Sequence, residues 1–113
     1  MTSSHKSDAL YLGHMLDMAR KAAERLGSQE RLAYDADEDL RLALTHLVQV
    51  IGEAASRVSA EFRSAHPEIP WASIIGMRHR IVHDYLNVDE DIVWSTVTQE
   101  LPRLVEQLGP LVA

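Results

Sequence analysis

Apolar residues recur along most of this chain at intervals of three and four, the spacing that places side chains on one face of an α-helix. The first such segment runs from Asp8 to Leu26, where charged residues lie opposite the apolar face and Gly27 follows as a helix-ending glycine. Its apolar face comprises Leu12, Met15, Leu16, Ala19, Ala22, Ala23 and Leu26. Residues 1–7 are polar, and we expect them to form a disordered N-terminal tail.

The longest predicted helix begins near Asp37, after a turn that starts at Tyr34, and continues to about Ser59. Apolar residues cover so much of its circumference that we expect it to lie at the centre of the fold, buried on most sides. Gly52 lies inside this helix, where a glycine costs up to about 1 kcal/mol relative to alanine. A close approach of another helix at this position would explain the glycine.

The second half of the chain predicts two more helices. The third helix opens at Trp71, after two prolines, and contains a cluster of arginines and histidines in its second half. After a break at residues 87–89, the last helix begins at Glu90 and is kinked by Pro102. No segment alternates as a strand would over a useful length. The pattern therefore predicts an all-α bundle of four or five helices.

Composition narrows the class of protein further. A length of 113 residues fits a single domain that covers residues 1–113. The formal net charge of −6 argues against a protein that coats nucleic acid by neutralising many phosphates, but it leaves room for one local basic cleft. The chain has no cysteine, which excludes disulfides and thiolate metal sites. It shows neither a signal peptide nor an apolar run of about 18 residues, so we expect a cytoplasmic protein without membrane contact.

The chemically richest segment is residues 78–85, which contains two arginines, two histidines, an aspartate and a tyrosine. Arginine keeps its charge at physiological pH, whereas histidine exchanges a proton near pH 7. Such residues can cleave an RNA phosphodiester without a metal. Histidines take the proton of the attacking ribose 2′-hydroxyl and protonate the leaving 5′-oxygen, while arginine stabilises the charged transition state.

Arg78 and His83 are the candidate catalytic pair in this segment, but five residues separate them. On one straight helix their side chains would point about 140° apart, too far to hold one phosphate together. Two arrangements would solve this. Either the helix ends or bends near His83, or two copies of the helix face each other across a dimer axis and pool both residues.

Simpler interpretations of these residues stay open. His79 and His83, four residues apart, could hold a transition metal, although the sequence offers no evident third ligand. We expect Arg80 to be an exposed residue that pairs with Asp84 or Glu90.

Two polar residues of the longest helix also need explanation. Glu53 is a carboxylate in the most apolar helix, so it needs a partner, and Arg78 or another arginine could supply it. In that case Glu53 would shape the site. His46 is more consistent with a partly buried, hydrogen-bonded histidine than with a catalytic group.

The spacing Arg78-x4-His83 followed by Tyr85 resembles the Arg-x4-His-x-Tyr signature of HEPN-domain toxins of the HepT family. The resemblance extends over nearly the whole chain, from about Asp8 to Leu108. The flanking segments that agree with the family are Ile51-Gly52-Glu53-Ala54-Ala55, Pro67-Glu68-Ile69-Pro70-Trp71, Gly76-Met77-Arg78 and Val88-Asp89-x-x-Ile92-Val93-Trp94.

This resemblance implies a HEPN-type bundle of four to five helices that forms a homodimer. It implies a metal-independent endoribonuclease site, without a cofactor, built from Arg78 and His83 of both subunits. It also implies an MntA-like nucleotidyltransferase antitoxin as partner, which silences the toxin by transferring AMP to Tyr85. Attached AMP would add bulk and negative charge where RNA phosphate must bind.

His79 is the departure from the family pattern, because the family often has asparagine after the arginine. We therefore expect His79, together with Glu53, to shape the site in a way particular to this chain. The alternative function is a non-catalytic HEPN dimer of the same fold, which would only bind the nucleotidyltransferase partner or RNA.

Overall fold

The computed structural model describes residues 2–84 and 87–112, with the backbone alone at residues 2–6, 83 and 84. The α-helices in these residues are α1 (Thr2–Leu26), α2 (Arg31–Ala36), α3 (Glu38–Ser56), α4 (Ala60–Ala65), α5 (Trp71–Ile75), α6 (Met77–Ile81), α7 (Glu90–Ser95) and α8 (Leu101–Leu108). Two short strands, β1 (Val82–Asp84) and β2 (Asn87–Val88), follow α6. The predicted all-α bundle is confirmed. None of the helices in the described residues is long and apolar enough to cross a bilayer.

α1 and α3 pack along each other in opposite directions at the centre of the bundle. Asp8, near the start of α1, is buried and accepts hydrogen bonds from the backbone N–H and the hydroxyl of Ser59, both at 2.7 Å. The Ser59 oxygen accepts in turn from the Phe62 N–H at 3.1 Å and so caps α4. One carboxylate thus joins the first helix to the connection between α3 and α4.

α1 begins earlier than the sequence predicts. Its first residue is Thr2, so the backbone of residues 2–7 is helical where we expected a disordered tail. Extending an existing helix adds a hydrogen bond for each residue and needs no new nucleus, so polar residues can continue the amphipathic segment. The other end agrees with the prediction: α1 stops at Leu26, and Gly27 adopts the left-handed conformation with φ 57°.

Gly52 lies where α3 meets α5. A β-carbon on this residue would lie 2.8 Å from the carbonyl oxygen of Ile74, closer than van der Waals contact allows. The predicted close approach of another helix at Gly52 is therefore confirmed. Because α5 leads directly into α6, this contact also sets the distance between α3 and the basic residues that follow.

The third predicted helix is divided and shorter than expected. α5 ends at Ile75 and α6 begins at Met77, with Gly76 between them. α6 then ends at Ile81, so the helix stops before His83, the last histidine of the cluster that we placed in its second half.

Two paired β-strands follow directly after α6, so the prediction that this region lacks strands is wrong. β1 and β2 pair in antiparallel orientation, with Val82 opposite Val88. The Asp89 N–H donates to the Ile81 carbonyl at 2.6 Å and closes the pairing at its base. β-Branched valines favour such paired, extended backbone. The strands are too short for their alternation to be visible in the sequence.

The last predicted helix contains a π-helical turn. Residues Thr96–Glu100 form this turn between α7 and α8, and Pro102 occupies the first turn of α8. Proline has no N–H to donate, and its ring would collide with the carbonyl oxygen four residues earlier. The wider π-helical turn before Pro102 gives this carbonyl room. The disturbance predicted at Pro102 is thus a local widening of the helix.

Tyr34 of α2 packs against α7 and forms a hydrogen bond with it. Its side chain is fully buried, its hydroxyl donates to the Glu90 carboxylate, and its ring centre lies 5.3 Å from that of Trp94. Arg31 adds an ion pair with Asp91 at 2.8 Å. The predicted turn at Tyr34 is therefore a short helix held against the element that follows β2.

Candidate functional site

The basic residues of α6 follow from the way this short helix is anchored. Met77 and Ile81, four residues apart, are buried and form its inner face. The three residues between them, Arg78, His79 and Arg80, are exposed. Two core contacts therefore suffice to present three basic side chains toward solvent.

An open cleft of ≈ 600 Å³ lies between α3 and the end of the α5–α6 pair, and we call it the α3–α6 cleft. Its lining residues are His46, Gln49, Val50, Gly52, Glu53 and Ser56 from α3, together with Ile75, Arg78 and His79. Its volume lies within the range of about 300–1,000 Å³ that is typical of ligand sites. The structure thus brings three of the predicted site residues, Arg78, His79 and Glu53, to one place.

Arg78 and Arg80 differ in what surrounds their guanidinium groups. Arg80 donates to the Ser73 hydroxyl at 2.7 Å and lies 3.8 Å from the Glu100 carboxylate. The Arg78 guanidinium forms neither a hydrogen bond nor an ion pair with any side chain that the structure describes. The charge of Arg78 is consequently available to an anion in the cleft, whereas that of Arg80 is engaged on another side of α6.

One of the two predicted partners of Arg80 needs correction. We expected Asp84 or Glu90. The Asp84 side chain lies outside the described part of the chain, and the partner observed in place of Glu90 is Glu100, which the π-helical turn carries toward α6. Glu90 instead accepts from the Tyr34 hydroxyl and lies 3.8 Å from Arg41. The helix ends at Ile81, and this places the start of α7 against α2 rather than beside Arg80.

Glu53 has an arginine partner on its own helix. Arg57, four residues later, donates to the Glu53 carboxylate at 3.1 Å, and both side chains are more than half exposed. Hydrogen bonding to the Tyr11 hydroxyl and then to Glu53 raises the pKa of Arg57 above its ordinary value. An exposed pair of this kind adds little stability. Its effect on the cleft is electrostatic, since Arg57 offsets the negative charge of Glu53.

His46 does not have the environment that the sequence predicts. We expected a partly buried, hydrogen-bonded histidine, but the side chain is exposed and lines the α3–α6 cleft. Its position seven residues before Glu53 places it on the same face of α3. That spacing was visible in the sequence, although nothing there indicated that this face borders a cleft.

His83 lies on β1 and therefore not on the helix that carries Arg78. The straight-helix geometry that separated the two residues by about 140° does not apply. Of the two arrangements considered, the helix does end before His83, and the backbone turns into a strand. Tyr85 lies outside the described residues, and for His83 the description is limited to the backbone.

The structure does not place His79 and His83 on one helix, as the alternative of a metal site requires. His79 is in α6 and His83 in β1, so the two do not share one helical face. Among the described side chains, no group of three or more histidine, aspartate or glutamate residues is placed to hold a metal ion.

Hydrogen bonds hold the C-terminal end of the segment that carries His83, just after β2. Asp89 caps α7 by accepting from the Ile92 N–H at 3.1 Å, and Glu90 accepts from the buried Tyr34 hydroxyl. Burial, followed by the hydrogen bond to Glu90, raises the pKa of Tyr34 above its ordinary value. These contacts hold the chain immediately after β2 in place.

A second cavity of ≈ 320 Å³ lies on the other side of α5 and α6, between them and α8. Its lining is mainly apolar, and two of its polar residues are already engaged. Glu100 lies beside Arg80, and the Gln107 amide donates to the Glu68 carbonyl at 2.9 Å. The described lining of this cavity also contains Arg103 but no histidine, so the α3–α6 cleft, which combines Arg78 with two imidazoles, is the better candidate for acid–base chemistry.

The chain matches the family model described as ribonuclease HepT-like over residues 15–111, which include the whole α3–α6 cleft. It is 33% identical over 103 residues to an inferred RNase of Caldanaerobacter subterraneus subsp. tengcongensis, covering 91% of this chain and 92% of that protein. It is 28% identical over 104 residues to an inferred ribonuclease HepT of Thermococcus cleftensis, covering 92% of each.

A third relative is an inferred RNase of Methanocaldococcus jannaschii. This protein is 28% identical to the chain over 69 residues, which cover 61% of the chain and 63% of the relative. No solved structure matches the chain significantly.

Proposed function

This chain belongs to the HepT-like ribonuclease family, and we propose that it is a metal-independent endoribonuclease that acts through Arg78 and His83. The resemblance predicted from the sequence is confirmed at the level of the family. The observation that carries the proposal is the exposed Arg78 guanidinium in the α3–α6 cleft, unengaged by the described residues and next to His79. An exposed guanidinium inside a cleft of an otherwise acidic protein is suited to bind a phosphate group.

In the proposed reaction, a neutral histidine takes the proton of the ribose 2′-hydroxyl. The 2′-oxygen forms a bond to the adjacent phosphorus, and the bond from phosphorus to the 5′-oxygen breaks. A protonated histidine donates its proton to this leaving oxygen, so the products are a 2′,3′-cyclic phosphate and a 5′-hydroxyl. Arg78 stabilises the additional negative charge on the phosphate oxygens in the transition state.

Two proton transfers require two groups in opposite protonation states, and one His83 cannot be both at once. We propose that the second histidine is His83 of the partner subunit. The homodimer would then bring Arg78 and His83 of both subunits to one cleft. Histidine is suited to both roles, because its ordinary pKa of about 6.5 lets either state exist near neutral pH. His79 and Glu53 border the same cleft and would orient the phosphate or these histidines.

Regulation is the third part of the proposal. A nucleotidyltransferase partner of MntA type, acting as antitoxin, would transfer AMP to Tyr85 and silence the toxin. Tyr85 follows His83 by two residues, so any group attached to it is close to the cleavage residues along the chain. Each AMP adds a phosphate charge that repels the RNA backbone.

Cleavage of a labelled RNA by the purified protein tests the proposal. We expect cleavage that persists in EDTA, yields cyclic phosphate ends, and is lost in His83→Ala. An unrelated exposed histidine provides the matched control: His14→Ala, on α1 and outside the cleft, should cleave at the wild-type rate.

Intact RNA at high concentrations of wild-type protein would overturn the proposal. The protein would then fit the alternative, a non-catalytic HEPN dimer that only binds the nucleotidyltransferase partner or RNA. Mass spectrometry tests the regulation separately: incubation with the partner and ATP should add AMP to the wild type and not to Tyr85→Phe.

A further inference from the structure

The α3 residues that line the α3–α6 cleft form its α3 wall, and they are charged toward one end of the helix and uncharged but polar toward the other. Toward the C-terminal end of α3, the ion pair of Glu53 and Arg57 introduces charge. Toward its N-terminal end, the wall consists of His46, Gln49 and Val50, a group with polar atoms but no Lys, Arg, Asp or Glu. His46 and Glu53 are seven residues apart, which is about 10 Å along the helix. The cleft is therefore long enough to hold more than one phosphate group.

His46 and Gln49 have the chemistry of residues that bind an RNA base. The flat imidazole of histidine can stack on a base, and the glutamine side chain both donates and accepts hydrogen bonds at a base edge. Among the described residues, neither side chain has a hydrogen-bond partner. Both are thus free to contact a ligand, while Val50 and Ile75 give the cleft an apolar surface for a ring.

We propose that His46 and Gln49 form a base-binding subsite of the ribonuclease, which holds the nucleotide next to the cleaved phosphate and selects its base. Arg78 binds the phosphate from the α6 side of the cleft, and the α3 wall receives the attached nucleoside. His46 supplies stacking, which every base can accept, and Gln49 supplies the discrimination between bases. This inference rests on the proposed ribonuclease function and adds a determinant of its sequence preference.

The two residues should contribute differently, and this difference is the basis of the test. Loss of stacking in His46→Ala should weaken the binding of all short RNAs by about tenfold, as is usual for a base-stacking side chain. His46→Phe should restore most of this binding, because a phenyl ring stacks without an exchangeable proton. Gln49→Ala should reduce the preference for one base beside the cleaved bond, because cleavage should slow mainly at the base that Gln49 recognises.

Two measurements are needed. The first is the distribution of cleavage sites in a pool of random RNAs, together with kcat and KM on one short RNA. The second is fluorescence anisotropy with RNAs made non-cleavable by a 2′-deoxy substitution, in a series that varies the base on each side of this position. His14→Ala and Gln99→Ala are the controls, since both residues are exposed and lie outside the cleft.

The outcomes separate this inference from the function on which it rests. A higher KM for His46→Ala, its rescue by His46→Phe, and a flatter base preference for Gln49→Ala would support the subsite. Normal cleavage with both alanine variants indistinguishable from the controls would overturn the subsite and leave the ribonuclease intact. Base-selective binding that depends on Gln49 without any cleavage would retain the subsite and overturn the enzyme. A wild type that neither binds nor cleaves RNA would overturn both.

Discussion

The α1–α3 pair and the segment of residues 76–89 are stabilised in different ways. In α1 and α3 a repeated apolar pattern supplies many buried side chains, with Met15 and Leu44 among those fully enclosed. In the second region, which the structure describes at residues 76–84 and 87–89, the described anchors are the buried side chains of Met77 and Ile81 and single contacts such as the Asp89 N–H to the Ile81 carbonyl. The candidate catalytic residues belong to the second region. In the proposed function, the buried faces of the central helices therefore serve as a support, and the short second region carries the candidate catalytic residues.

This difference predicts that the two regions respond differently to substitution. Changes at the buried positions of the α1–α3 pair, away from the α3–α6 cleft, should lower the free energy of unfolding and leave the activity of each folded molecule unchanged. Changes of the exposed α6 residues that line the cleft, Arg78 and His79, should lower the activity and leave the free energy of unfolding nearly unchanged, because exposed side chains contribute little to stability. Gly52 and Tyr34 contact residues next to the second region, whereas Asp8 lies within the first, so these three positions test where the boundary lies.

The largest effect on stability is expected for Gly52→Val. Its β-carbon would meet the Ile74 carbonyl at 2.8 Å, so α3 and α5 must separate, at a cost of about 3 kcal/mol for an overpacked contact. Gly13→Val is the matched control, because nothing lies within 4 Å of a β-carbon there. It should change the unfolding free energy by less than about 0.5 kcal/mol. Equal stability of the two variants in urea denaturation would show that the α3–α5 contact is not tight.

Asp8→Ala should have the next largest effect. Ser59 would lose the buried acceptor for both its N–H and its hydroxyl, at a cost of about 2 kcal/mol. Asp17→Ala, an exposed carboxylate on the same helix, should lie within about 0.5 kcal/mol of the wild type. Cleavage per folded molecule should be normal in both variants. A wild-type urea midpoint for Asp8→Ala would contradict the structural role of this carboxylate.

Tyr34→Phe should have a smaller effect, which depends on pH. Removing the hydroxyl donor to Glu90 should cost about 1 kcal/mol near neutral pH. Because the folded state raises the pKa of Tyr34, its contribution is present below the unfolded value of about 10 and is lost as the pH rises above it. The wild type should therefore lose more stability than Tyr34→Phe at alkaline pH. Parallel curves of urea midpoint against pH for the two proteins would contradict this.

The sequence predicts the helical part of the fold because helices repeat. The end of α1 at Leu26, the approach of another helix at Gly52, and the N-cap at Asp89 each follow from a local pattern. The connection between Asp8 and Ser59 does not follow, since a residue 51 positions away in the chain is its partner. Local rules contain no information about such distant pairs.

The sequence predicts which residue types form the candidate site, but it predicts their spatial arrangement only in part. The chemistry of Arg78, His79 and Glu53 is evident from the sequence, and the structure places all three around one cleft. A helix end near His83 was one of the two arrangements that the sequence left open, but the strands that follow α6 were missed, because a strand of three residues has no detectable period. The exposure of His46 was also missed, since it depends on which helix packs against that face of α3.

The central claim is that Arg78, in the α3–α6 cleft, carries the chemistry, whereas Arg80 serves the structure. The most direct test measures RNA cleavage and thermal stability of Arg78→Ala and Arg80→Ala in parallel. We expect Arg78→Ala to lose about 100-fold or more in cleavage rate, as when one donor to a transition-state oxyanion is removed, with unchanged stability. Arg80→Ala should cleave within about threefold of the wild type and lose at most about 1 kcal/mol of stability with its Ser73 and Glu100 contacts. Equal losses of activity in the two variants, or wild-type cleavage by Arg78→Ala, would contradict the account.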